Sequence, residues 1–137
     1  MTVLVATPNP AKILKDWLAQ SPLAVRYPDL TYALHLDGQW APKTSRPALV
    51  VFDDGGPLRW PVETKTTLRV TIWSDDLILG REAAAFAMGL CLTHRIPGLA
   101  KVLPGLSVTD ARDTNNGGIM ASYTVRARVR TTMAAEA

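Results

Sequence analysis

The residues of this chain with most chemistry to offer are two histidines, one cysteine, an Asp-Asp-Gly-Gly loop, five serines and a stripe of three arginines. His35 and His94 lie far apart on different predicted elements, and no local spacing supplies a third ligand beside them. A metal role has nothing to build on, and solvated surface residues are the default reading. Cys91 sits in an alanine-rich apolar run, where a buried, inert thiol is expected. Asp53-Asp54-Gly55-Gly56 lacks the alternating carboxylates and terminal Glu of a calcium loop, and the Lys-Ser/Thr sequel of a phosphate loop. It reads as a turn. None of Ser21, Ser45, Ser74, Ser107 and Ser122 stands in a G-x-S-x-G context, so nothing marks a nucleophile. No catalytic, cofactor-binding or metal residue is assigned.

The run from Ile119 to Thr131 is more informative. Ala121, Tyr123, Val125, Ala127 and Val129 alternate with Ser122, Thr124, Arg126, Arg128 and Arg130, the pattern of a strand with one dry face and one cationic face. Three readings of Arg126, Arg128 and Arg130 stay open: a solvated face, a subunit interface paired to a neighbour's carboxylates, or a surface facing phosphate. No aromatic residue is interleaved with the arginines, so the pattern of base stacking is missing. Of the tryptophans at 17, 40, 60 and 73, Trp40 and Trp60 fall in loops with prolines nearby and are the candidate contact anchors.

The elements that must position these residues follow from periodicity and punctuation. Asn9 caps a first helix with Pro10 at its first position; Ile13, Leu14, Trp17 and Leu18 share one face, and Ser21-Pro22 stops it. A strand follows over Leu30–Leu36, ending at Asp37-Gly38. Ala48–Phe52 is uniformly apolar and short, as in a central strand buried on both faces. Thr64–Trp73 alternates, with Leu68, Val70 and Ile72 opposite Thr67, Arg69, Thr71 and Trp73. Ser74-Asp75-Asp76 opens a second helix running to about His94, its small residues allowing close packing, with Phe86 and Leu90 as the larger core contributors. Leu106–Arg112 is a strand, and Asn115-Asn116-Gly117-Gly118 turns into the arginine-striped one. The order α-β-β-β-α-β-β predicts an α+β fold, an antiparallel or mixed sheet with two helices packed on one face. Residues 1–132 form one domain, and Met133–Ala137 is read as a disordered tail.

The chain's 137 residues suffice for one domain with a real core, and 47% hydrophobic and 20% charged residues are ordinary for a globule. Fifteen basic against 12 acidic residues give +3, a mild excess that only weakly favours a nucleic-acid partner. A single cysteine excludes a disulfide framework and points to a reducing compartment. The opening residues lack a cationic n-region and a long apolar core, and no stretch has the roughly 20 apolar residues of a membrane span. An intracellular product without membrane contact is expected.

Taken together, the opening helix Ala11–Ala19, the junction Leu68-Arg-Val-Thr-Ile-Trp-Ser-Asp-Asp76, the Ala-rich helix through Leu92, the segment Gly105–Arg112 and the strand Tyr123–Arg130 resemble a tail-terminator protein of long-tailed, siphovirus-type phages, actinobacteriophage-like. The resemblance covers nearly the whole chain as an architecture, with no invariant motif. It implies a structural protein, not an enzyme, whose homo-oligomer, a hexameric ring, caps the tail tube, ends tail elongation and joins tail to head. The implied partners are the major tail tube protein, a neck or head-completion protein, and DNA passing through the lumen without sequence specificity. No cofactor is implied. The location would be the tail–neck junction of the virion, and the host cytoplasm during assembly. A head-to-tail connector of the same assembly, a small basic nucleic-acid-binding α+β module and a small enzyme with an unrecognised pocket are the alternatives. Steep salt dependence of DNA or RNA binding would distinguish the second, and the lack of a paired nucleophile, base and orienter argues against the third.

Overall fold

The computed structural model describes residues 3–136, and their side chains over residues 4–133. The elements run β1 (Val3–Ala6), α1 (Pro10–Ala19), α2 (Pro22–Arg26), β2 (Thr31–Ala33), β3 (Ala48–Asp53), β4 (Leu58–Arg59), β5 (Glu63–Ser74), α3 (Leu77–Thr93), β6 (Lys101–Pro104), β7 (Thr109–Arg112), β8 (Ile119–Arg130) and β9 (Thr132–Glu136). The fold is α+β with a mixed sheet. Strand order is β2-β3-β5-β8-β6, with β4 on β5 and β7 on β8; every pairing is antiparallel except β2 with β3. The spine is the β5–β8 pair, matched at all positions from Glu63 opposite Arg130 to Ser74 opposite Ile119.

All three helices start as local chemistry requires. The Asn9 side chain accepts from the Lys12 amide at 3.2 Å, and Pro10 follows where no amide partner is needed. Ser21-Pro22 stops α1, as expected, and then repeats the same cap-plus-proline signal to start α2, a helix the sequence reading lacked. Asp76 caps α3 by accepting from the amides of Ile78 and Leu79. Among the described residues the helix layer therefore holds three helices, not two.

Leu14 and Leu18 of α1, Leu23 of α2 and Ala83, Ala84, Ala87, Leu90 and Cys91 of α3 pack in one cluster against Leu49, Val51, Leu68, Val70, Ile72, Ala121, Tyr123, Val125, Ala127 and Val129. Small side chains let α3 approach closely: a Cβ on Gly80 would stand 3.0 Å from Ser74 Oγ. Leu90 is buried as expected, whereas Phe86 is half-buried. Phe86 turns toward α2, where its ring meets Tyr27 edge-on and the Arg26 guanidinium lies 5.2 Å from its centroid.

The opposite sheet face is covered only at one end. Ala48, Val50 and Trp73 lie beneath Trp40, which makes β3 buried on both sides. Trp40 is not the exposed contact anchor that its loop position predicts: it is 7% exposed, donates Nε1–H to the Arg46 carbonyl at 2.8 Å and rests against Gly118, whose missing Cβ leaves room for the ring. Sequence alternation could not reveal that its loop folds back over the sheet.

Other boundaries shift because pairing, not propensity, decides them. The strand expected over Leu30–Leu36 is only Thr31–Ala33, β7 is Thr109–Arg112, and β1, β4 and β6 are additional. Residues 133–136, expected to be disordered, continue β9 in an antiparallel pairing with β1, while Ala137 lies outside the described residues.

Candidate contact face

The open part of the sheet is built by register. Residues directly paired on adjacent strands project to the same face, about 5 Å apart. Lys65 on β5 is paired with Arg128 on β8, and Arg128 with Lys101 on β6, so three cations stand in one row across three strands. The next row is Thr67, Arg126 and Leu103, and Arg69 faces Thr124 beyond it. Among the described side chains no carboxylate lies within ion-pair distance of Lys65, Lys101, Arg126, Arg128 or Arg130. Arg126 is steadied by donating Nε–H to the Pro104 carbonyl at 3.2 Å.

The expected stripe is therefore not uniform. Arg130 is paired in register with Glu63, whereas Arg128 is flanked by cations on both sides. Sequence reasoning missed Lys65 and Lys101. Lys65 shares the alternation of Thr67 and Arg69 and could have been assigned; Lys101 belongs to β6, whose four residues carried no strand pattern. A cleft of about 290 Å³ opens on this face, lined by Gly56, Pro57, Lys65, Thr67, Arg126 and Arg128, among others. Gly56 is required in its wall, because any Cβ there would collide with the Lys65 carbonyl.

The Asp53-Asp54 loop is a structural turn. Asp53 Oδ1 accepts from the Gly55 amide and from Thr66 Oγ1, Gly55 takes φ +79°, and Asp54 pairs with Arg69 at 3.2 Å. Arg69 also lies over the Phe52 ring, 4.2 Å from its centroid. Both carboxylates of the loop are thus engaged within the fold.

The remaining candidates are dispersed. His35 is exposed in the loop after β2, and His94 caps the end of α3 with its ring 5.9 Å from Trp17. Among the described residues no three His, Cys, Asp or Glu side chains gather in a way that could hold a metal ion. Cys91 is buried, its Sγ 3.4 Å from the Tyr123 hydroxyl, and burial pushes its thiol up to about 11. The Tyr123 hydroxyl is raised for the same reason. Such a thiol is protonated at neutral pH.

The exposed large apolar side chains include Leu4, Val25, Leu92, Leu106 and Met133, and two groups of residues close together in sequence. Leu58, Trp60 and Val62 form the tip of the β4–β5 hairpin at 54%, 63% and 49% exposure. Leu77 and Ile78 begin α3 at 41% and 69%. Among the described residues no helix is long and apolar enough to cross a membrane. No protein-family model matches the chain, and no curated protein matches its sequence.

Proposed function

We propose that this chain is a structural, non-catalytic subunit of tail-terminator type: a protein that closes into a ring, caps a phage tail tube, ends its elongation and offers its other side to the neck. The carrying observation is the placement of two groups of exposed apolar residues at opposite ends of one strand. Trp60 and Val62 immediately precede β5, and Leu77 and Ile78 follow it closely. Twelve residues of strand separate them by about 36 Å. Two different sticky sites held that far apart suit head-to-tail contacts, which generate closed rings when the rotation between subunits permits. Hexameric closure comes from the resemblance to tail terminators and is part of the proposal. So are the tail tube and neck proteins as partners.

The deciding experiment is genetic and structural. Particles assembled without this protein carry tails of uncontrolled length or fail to join heads, as seen by negative-stain microscopy. Normal tails and normal joining in its absence remove the reading.

A further inference from the structure

We propose that the open face centred on Lys65, Arg128 and Lys101, with Arg126 beside them, binds the phosphate backbone of duplex DNA without reading its sequence. The choice of DNA rests in part on the tail-terminator reading, which already implies DNA in the lumen; what is added is the face that meets it, on a surface a lone subunit already possesses.

The argument begins with cost. Like charges directly opposite on neighbouring strands destabilise a sheet, yet here Arg128 has a cation on each side. Among the described side chains none of the three has a carboxylate partner. A polyanion removes that repulsion.

The surroundings specify which polyanion. Thr67 stands on the same face, directly opposite Arg126, whereas the Thr124 hydroxyl already accepts from the Leu106 amide at 2.6 Å. Arginine, lysine and hydroxyl side chains are the groups that contact phosphate oxygens. No aromatic ring lies in the rows of Arg128 and Arg126, and Phe52, paired with Arg69 in the next row, is covered by that guanidinium at 4.2 Å. Unpaired bases would find no open ring beside the cations to stack on, which favours a duplex over single strands.

A second copy of the chain would be the other source of anionic groups. Asp29, Glu63, Asp75 and Glu82 have no side-chain partner among the described residues and could be offered as single charges, while at least six of the 12 acidic residues are held within the fold. Asp16 pairs with Lys12 and Lys15, Asp54 with Arg69 and Asp110 with Arg81. Asp53 holds its own turn, Asp76 caps α3, and Asp113 accepts from Trp73. What a neighbour could offer is sparse beside the phosphate density of DNA.

The test uses the purified full chain and a short duplex of random sequence, followed by fluorescence anisotropy at rising salt. Four contacts predict a loss of affinity of about 100-fold between about 50 and 200 mM salt, equal for unrelated sequences. Single changes Lys65→Ser, Lys101→Ser and Arg128→Ser each lower the slope of log affinity against log salt by about 1. The control Lys12→Ser, at a lysine already paired with Asp16, leaves the slope unchanged. Sedimentation of the same variants reads self-association in parallel.

A parent protein with no salt-dependent DNA binding overturns the proposal without any variant. So does a slope that the three changes do not move, or a loss of self-association with DNA binding intact, which would make the face a contact between copies. Tighter binding to single strands than to duplex also overturns it. Particles that assemble normally without the protein would remove the ring and leave the DNA measurement untouched, so the two failures are distinct.

Discussion

Trp73 on β5 donates its indole N–H to Asp113 at 2.9 Å, tying the centre of the sheet to the turn between β7 and β8. The same carboxylate accepts from the Asn115 amide at 2.8 Å. The turn before the cationic strand is thus anchored from within the fold rather than by Asn-Gly chemistry alone.

This anchor has a pH signature. The Trp73 donor, followed by the Asn115 amide, holds the Asp113 carboxyl below its ordinary value of 3.8. A depressed pKa means that the stabilisation is full above the unfolded value and is lost as pH falls through the folded one. Asp113→Asn, which keeps an acceptor but cannot titrate, is expected to flatten the acid limb of stability in urea titrations between about pH 5 and pH 2. Unfolding curves of parent and variant that fall in parallel across that range would dismiss the anchor.

The helix layer predicts an order of costs. Leu18→Ala and Leu90→Ala delete buried side chains and are each expected to cost about 2–5 kcal/mol. Phe86→Ala removes a half-buried ring that packs between α2 and α3, and should cost less than Leu18→Ala. Denaturant midpoints at constant slope measure this directly. If Phe86→Ala proved the most damaging of the three, the assigned facing of α3 would be wrong.

Trp40 and Trp60 should separate cleanly. Trp40→Ala empties the cover over Val50 and Trp73 and is expected to cost about 3–5 kcal/mol. Trp60→Ser changes an exposed side chain and is expected to shift stability by no more than about 0.5 kcal/mol. Under the ring reading, Trp60→Ser should nevertheless impair incorporation into particles, which a purified-virion blot would show. Full incorporation would leave the hairpin tip without a role in assembly.

Cys91 offers a probe of the core. With its thiol raised to about 11 by burial, the folded protein should resist alkylation at pH 8, while the unfolded chain reacts fully. Mass spectrometry after timed iodoacetamide exposure gives the ratio. Rapid labelling of the native protein would mean that α3 opens readily from the sheet.

What the sequence by itself determined was local and periodic. Alternation over Ile119–Arg130 placed the inward and outward residues of β8, the apolar run Ala48–Phe52 marked a doubly covered strand, and Asn9-Pro10 and the Ser74-Asp75-Asp76 run marked where α1 and α3 begin, the structure choosing Asp76 as the cap. Those signals depend on a residue and its near neighbours, and period two or a capping side chain survives any arrangement of the rest. The tertiary structure decided what depends on partners distant in the chain. Short strands such as β2, β4 and β6 exist because a neighbour supplies their hydrogen bonds, and Trp40 is buried because its loop folds over Val50 and Trp73. The cationic row is the sharpest case. Lys65, Lys101 and Arg128 stand far apart in the chain, and only the β5–β8–β6 register, fixed by burying Tyr123, Val125, Ala127 and Val129 under the helices, sets them side by side.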